Sequence, residues 1–455
     1  MIGVKFFNLG NIRQGEIVQK DLTIFCGSNN TGKTYAAYAL YCLLDKEFRI
    51  NASIFKEVVK TIYENGIYEI NIEEFAKSHF DSIKKEIENN FSKQLPVFFS
   101  ASPDDFKDLK VVFSYTIEQS LKELYGRKFH FEFSVGKEKR AAFQAIKEED
   151  GFLTVFTLAD DKMPREILEQ SFCDAIINML FGELFKKSFL LPAERTGLNL
   201  FYQELNRNRN ALINHLQKTK INPIEVLQDL IVSSYPQAIA DYIDFLNDLQ
   251  NLKKLKSDFA QLANDIQKEI VKGRYTIDKA NIYFTPYKSS SNPDNYNSKM
   301  SLHLTSSTVK TFFSLTFYFE HLANKGDCLI IDEPELNLHP DNQRKIAKIL
   351  ARAVNMGLKV VISTHSDYIV REFNNLIMLN DEFDGKDEIL KKYDYEKDDK
   401  LDSSAISAYL FKNNSICPMK IEAEGIISDT FDEIINSLNS SSDDIYYAKA
   451  SANND

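Results

Sequence analysis

The sequence predicts an α/β fold with a parallel sheet at its centre, and three short apolar runs predict it. Residues 22–26 run into "GSNNTGKT", residues 328–331 run into "DEPELNLHP", and residues 359–362 run into "STHS". Each run has strand length and ends in polar or charged residues. In an open α/β sheet that edge, beyond the carboxyl ends of parallel strands, is where ligands sit.

The first 26 residues read as three short strands, separated by turns at "NLGN" and "QKD". The third leads into Gly27–Thr34, which fits G-x-x-x-x-G-K-[ST], and the helical run "YAAYALY" leads out. This is a phosphate loop in its proper strand–loop–helix setting. Gly27 and Gly32 let backbone N–H groups turn inward around phosphates, and the helix N-terminus adds a dipole that favours negative charge. Ser28, Asn29, Asn30 and Thr31 complete the cradle, and Tyr35 opens the helix. Lys33 is expected to reach the β- and γ-phosphates, and the Thr34 hydroxyl to ligate Mg²⁺. ATP with Mg²⁺ is therefore the expected ligand pair.

Composition narrows what surrounds the loop. The chain has 455 residues, 44% apolar and 27% charged, which suits a folded protein of two or three units. Its formal net charge is -11, so contact with nucleic acid would need a local basic patch. The cysteines at 26, 42, 173, 328 and 417 show no C-x-x-C pairing and no histidine spacing, which argues against a zinc site or a disulfide framework. A cytoplasmic location is the expectation. The first residues lack a secretory pattern, and apolar segments such as 312–319 are too short to span a bilayer, so no membrane contact is expected.

Organisation follows from the periodicity. Residues 1–45 form the N-terminal part of a head, and 46–186 a mixed insertion: 46–125 carry Lys, Glu, Phe and Ile at helical spacing, while 128–134 and 152–157 alternate like strands. Residues 187–199 contain a buried strand stopped by Pro192, with Glu194 and Arg195 placed just after it. Residues 200–272 carry long helical periodicity, including Leu246, Leu249 and Leu252, and predict a helical arm or hairpin. No heptad is sustained, so a long coiled coil is not expected. Residues 273–380 return to the head, and 381–455 are a C-terminal extension.

The second and third runs carry the chemistry. Asp332, at the end of an apolar strand, would hold Mg²⁺ through water, and Glu333 would position or polarise an attacking water. His365, at the end of the next strand, could sense the γ-phosphate, where a lone histidine elsewhere is usually structural.

Together, "GSNNTGKT", "CLIIDEPELNLHP" and "ISTHS" resemble the ABC-type ATPase heads of SMC proteins and RecN. The "EPE-x-x-LHP" form and the "PAER" at 192–195 are similar to single-chain ATPases grouped with OLD nucleases and with anti-phage defence ATPases of the AriA and PtuA kind. The resemblance covers residues 1–45 and about 187–380. It implies an α/β, ABC-type P-loop ATPase head with a mixed α+β insertion and a helical arm. It also implies a homo-oligomer, a dimer of heads at least or a larger ring, in which one head's phosphate loop meets the other's signature motif. The candidate signature is "LTSSTVK" at 304–310, which contains Ser306 and Ser307 and precedes a helix over 311–322. Family signatures have glycines after the serine; here Ser307 and Thr308 stand instead, so backbone approach is less close and slow hydrolysis is expected. A plain Ser/Thr helix cap describes the same residues.

The function this implies is an ATP-hydrolysing sensor and scaffold of a bacterial anti-phage system. It would control a separately encoded nuclease of TOPRIM or HNH type and answer to a phage protein or DNA. One alternative is a DNA-repair or chromosome-associated ATPase of the RecN and SMC kind. Another is a HEPN-like ribonuclease toxin, from the Arg209-to-His215 spacing, which is also an ordinary polar helix face. Glu194 and Arg195 read either as interface residues or as a strand-end salt bridge. Glu422 and Glu424 resemble the first acidic motif of a TOPRIM domain, but no Asp-x-Asp strand follows them, so that domain is not expected.

Overall fold

The computed structural model describes residues 2–45, 52–135, 140–157, 164–182, 186–205, 235–252, 254–278, 281–287, 299–427, 437–446 and 449. Strand β1 (Ile2–Leu9) turns through Gly10 at φ 54° into antiparallel β2 (Ile12–Gln19). β3 (Leu22–Gly27) is buried along Leu22–Cys26, which is why its sequence reads as a continuous apolar run rather than an alternating one. α1 (Lys33–Asp45) follows the phosphate loop and buries its Ala and Leu residues together with Tyr38 and Tyr41.

The insertion holds α2 (Lys56–Asn65), β4 (Ile67–Asn71), α3 (Ile72–Phe98), β5 (Lys110–Phe113), α4 (Ile117–Leu124), β6 (Phe129–Val135), β7 (Arg140–Lys147), β8 (Phe152–Thr157) and α5 (Arg165–Phe181). β4, β8, β7 and β6 form an antiparallel sheet in that order. Helical spacing predominates over 46–125, yet β4 and β5 interrupt it. β5 pairs with β1, extending the head sheet from within the insertion. The reason is local: β5 alternates exposed and buried side chains, the period-2 pattern of a strand.

After β9 (Ser188–Leu191), residues 195–205 are helical. Next come α6 (Gln237–Asp248), α7 (Ala260–Asp265) with a π turn at Ile266–Ile270, and the strands β10 (Gly273–Asp278), β11 (Asn281–Pro286) and β12 (Met300–Ser301). A projecting arm over 200–272 is not what the described part of that span forms. Ala238, Ile239, Tyr242, Ile243 and Leu246 are buried, and Tyr242 donates to Asn199 Oδ1 at 2.9 Å. The apolar stripe that suggested a helix is used to pack it onto the head. Residues 206–234, and with them Arg209 and His215, lie outside the described residues.

The head is completed by α8 (Ser307–Phe317), continued by a π turn at Tyr318–Leu322, then β13 (Cys328–Asp332), α9 (Pro340–Asn355), β14 (Lys359–Thr364), α10 (Asp367–Met378), α11 (Lys386–Lys392), β15 (Ile406–Lys412), β16 (Ser415–Pro418), β17 (Ile421–Glu422) and β18 (Gly425–Ile426). The main sheet runs β5-β1-β2-β16-β15-β3-β14-β13-β9, and β15 through β9 are mutually parallel. The α/β fold expected of the sequence is present.

Residues 381–455 are more than an extension of this head, because β15 and β16 lie inside its sheet. β15 is buried along most of its length and pairs in parallel with β3, from Ile406 opposite Leu22 to Phe411 opposite Gly27. A buried bidentate pair ties the preceding segment down, with Arg352 Nε 2.7 Å from Asp399 Oδ1 and Nη2 3.2 Å from Oδ2. Among the described residues no helix is long and apolar enough to cross a membrane.

Candidate functional site

The parallel register brings three strand ends to one edge. Ile331 pairs with Ile362, Asp332 with Ser363, and Thr364 with Cys26, so the residues after β3, β13 and β14 emerge side by side. The phosphate loop needs its glycines. Gly27 has φ 142° and a Cβ there would come within 2.5 Å of the Phe411 carbonyl oxygen; Gly32 has φ 98° and a Cβ there would meet Ile12 Cγ1 at 2.7 Å. Asn30 also lies at positive φ, 60°, a conformation that asparagine tolerates better than most residues.

Lys33 is buried and donates to the carbonyls of Gly27 at 3.0 Å and Ser28 at 2.8 Å. Burial lowers its pKa, and the nearby Asp332 and Glu333 oppose that shift. Thr31 Oγ1 closes the loop with a 2.9 Å bond to the Ser28 carbonyl. Ser28, Asn29 and Asn30 are exposed, with Asn29 between two residues whose carbonyls are engaged within the chain. Tyr35 turns away from this cradle, with its ring 5.1 Å from that of Phe99 in the insertion. Its side chain joins two units of the fold instead of extending the cradle.

Thr34 Oγ1 donates to Asp332 Oδ2 at 2.9 Å, and Ser363 Oγ donates to Asp332 Oδ1. Both carboxylate oxygens of this buried side chain are thus engaged. Glu333 follows at φ 53°, its N–H on the Ser363 carbonyl at 3.0 Å and its Oε1 3.6 Å from His365 Nε2. Burial raises the Glu333 pKa and the adjacent Asp332 raises it further, while Lys33 and Arg195 oppose the rise. Burial lowers the pKa of His365, and so does Lys33. A neutral imidazole beside a carboxylate that holds its proton more firmly than usual is suited to handling a proton at this edge.

Ser306 and Ser307 lie apart from this group. Ser306 accepts from the Val309 N–H at 3.3 Å and caps α8, which starts at Ser307, four residues earlier than the helix expected at 311. Both serines are exposed, and among the described residues no hydrogen bond joins them to the phosphate loop. Thr308, next along, donates to the Asn337 carbonyl at 2.8 Å in the turn after the carboxylates. That turn ends where His339 caps α9 and Pro340 occupies its first position, so "LHP" is a helix start.

A family model described as an AAA ATPase domain matches residues 2–370, a span that includes the phosphate loop, both carboxylates and His365. This chain belongs to that family. Among solved structures, the chain is similar to the Smc head domain of Pyrococcus furiosus, crystallised with an extended coiled coil bound to the C-terminal domain of ScpA. There the identity is 9%, the match covers 96% of this chain and 100% of that one, and the TM-score is 0.32. The SMC head domain from Thermotoga maritima matches at 10% identity over 92% of this chain and 98% of its own, with a TM-score of 0.32. No curated protein shows a significant match.

Three residues of this AAA ATPase domain protein hold the site without having been assigned those tasks from sequence. Ser363 fixes the Asp332 carboxylate. Glu335 accepts from the His365 backbone N–H at 2.6 Å and so holds the turn that carries the imidazole. Arg195 is buried and bonds main-chain carbonyls of Pro192, Asp332 and Glu333. It is therefore not open to a partner surface, one of the two readings of this residue. Among the described residues its hydrogen bonds run to carbonyls and not to the carboxylate that a strand-end salt bridge, the other reading, would need. The "PAER" stretch was a usable pointer to Arg195; nothing in the sequence singled out Ser363.

Proposed function

We propose that the chain binds ATP with Mg²⁺ at the 27–34 loop and hydrolyses it to ADP and phosphate. One observation carries the reading: Lys33 and Thr34, Asp332 and Glu333, and His365 converge on one sheet edge from three separate strands, joined by the Thr34–Asp332 hydrogen bond. The loop amides and Lys33 offset the phosphate charge once Lys33 exchanges its carbonyl partners for phosphate oxygens.

Thr34 and Asp332 fit a magnesium ion, since both present oxygen donors and Mg²⁺ is held by few protein ligands beside phosphate oxygens. When bound, the ion neutralises charge on the phosphates. Glu333 orients a water for in-line attack. It accepts the water's proton as the oxygen bonds to the γ-phosphorus and the bridging P–O bond to the β-phosphate breaks. His365, neutral at pH 7, contacts the same region and reports the presence of the γ-phosphate.

Ser306 and Ser307 act on the nucleotide of a second copy, so that two heads enclose each ATP. Their exposure at a helix N-terminus supports this, as does the absence, among the described residues, of hydrogen bonds to their own loop. The output passes to another chain: the head is the sensor and scaffold of an anti-phage system that controls a separately encoded nuclease. The support is the resemblance carried by "EPE-x-x-LHP" and "PAER". Growth with and without phage, measured for the chain alone and with its neighbouring genes, tests this output. Toxicity of the lone chain that disappears in His215→Ala would favour the ribonuclease instead. For the ATPase itself, calorimetric titration of Lys33→Ala with ATP is the test: affinity is expected to fall by tenfold or more, roughly the loss of one charge-assisted contact, with the fold intact by circular dichroism. Unchanged affinity would sink the reading.

A further inference from the structure

Glu333 is held in the left-handed region, at φ 53°, where a glutamate pays a steric cost that its surroundings must offset. Two groups fix the turn. The Ser363 carbonyl takes the Glu333 N–H at 3.0 Å. On the other side, Arg195 Nη2 donates to the Glu333 carbonyl at 2.7 Å, and Nη1 donates to the carbonyls of Asp332 at 2.7 Å and Pro192 at 2.9 Å.

A buried guanidinium is costly, and these carbonyls are neutral. Placing such a group where three carbonyls must be held at once suits its planar fork, which a lysine cannot reproduce. The clamp is itself anchored. Thr196 Oγ1 and Thr311 Oγ1 share a hydrogen bond of 2.7 Å, and Asn199 Nδ2 donates to the Lys310 carbonyl at 2.7 Å, tying the helix that begins at Arg195 to α8.

We infer that Arg195 is a positioning residue for hydrolysis, whose guanidinium locks the Asp332–Glu333 turn in the strained conformation that aims the Glu333 carboxylate at the attacking water. The inference rests on the ATPase reading above. It excludes direct contact of Arg195 with ATP.

The test is a double-mutant cycle on the full chain, with Arg195→Lys, Arg195→Gln, Glu333→Gln and the combination of Arg195→Lys with Glu333→Gln. ATP affinity is measured by calorimetry and hydrolysis by single-turnover phosphate release. Arg195→Lys is expected to lower the hydrolysis rate by roughly tenfold to a hundredfold, the cost of a small misplacement of a reacting group, and to leave ATP affinity within about twofold. In the Glu333→Gln background it should cost nothing further, since the residue through which it acts is already disabled.

An equal fold-loss in both backgrounds, a loss of ATP affinity, or an unchanged rate would each overturn the inference. Failure of both single Arg195 variants to fold would also overturn it, by making the residue a fold determinant. A parent chain that binds no ATP would overturn the ATPase reading itself, which the Arg195 arms alone cannot do.

Discussion

Thr34 Oγ1 donates a 2.9 Å hydrogen bond to Asp332 Oδ2 across 298 positions of sequence. The two side chains expected at Mg²⁺ are thus already in contact, and Ser363 holds the other carboxylate oxygen. Asp332→Asn keeps an acceptor for Thr34 but removes the charge. Its ATP affinity should fall in the presence of Mg²⁺, by about tenfold or more, and little in a chelator. Calorimetry with and without Mg²⁺ checks this; an unchanged Mg²⁺ effect would remove Asp332 from the metal site.

Ser306→Arg separates the two readings of the 304–310 stretch. Loss of the Ser306 cap should cost about 1 kcal/mol of stability on either reading. Only if the serine meets a partner's nucleotide will hydrolysis fall while ATP binding to the isolated head stays the same. Equal turnover in mutant and parent would show that the serine is a cap and no more.

The raised pKa of Glu333 makes a stability prediction with a definite sign. A carboxyl that binds its proton more tightly folded than unfolded contributes stability below its unfolded pKa and loses it as pH rises through the folded value. At neutral pH the charged side chain is therefore a liability that Glu333→Gln removes. The mutant should melt higher than the parent at pH 7.5, and the gap should narrow as pH falls towards the ordinary glutamate value. A gap that widens on acidification would contradict the local electrostatics.

Thiol labelling tests the core. Cys26, Cys42, Cys173 and Cys328 are buried and Cys417 is exposed. Burial pushes Cys26, Cys173 and Cys328 up to about 12, so very little reactive thiolate is present at pH 8. Under native conditions Cys417 should react with maleimide first, the others only on unfolding. Fast native labelling of Cys26 would contradict the packing of β3 between β14 and β15.

The site's edge was legible because each part of it is contiguous in sequence: an apolar strand followed by the loop that carries Lys33 and Thr34, by Asp332 and Glu333, or by His365. The rest depends on long-range pairing. β15 closes on β3 from residues 406–412, and Phe411 walls the phosphate loop, yet no local pattern says which neighbour an apolar strand will take. The partners of Arg195 are main-chain carbonyls, which every sequence supplies, so its task was hidden although the residue was noticed. The stripe Ile239, Tyr242, Ile243 and Leu246 showed a helix but not the surface it covers, and that surface makes the described part of the expected arm a part of the head.

The central claim is that this edge hydrolyses ATP with Glu333 acting on the attacking water. The direct measurement is phosphate release by the parent and Glu333→Gln, alongside ATP affinity for both. The parent should release phosphate in a Mg²⁺-dependent manner, slowly if the missing signature glycines limit it. Glu333→Gln should bind ATP within about threefold of the parent and release phosphate about a hundredfold more slowly or worse, the usual scale of lost general-base catalysis. Equal phosphate release by parent and mutant at saturating ATP would contradict the claim.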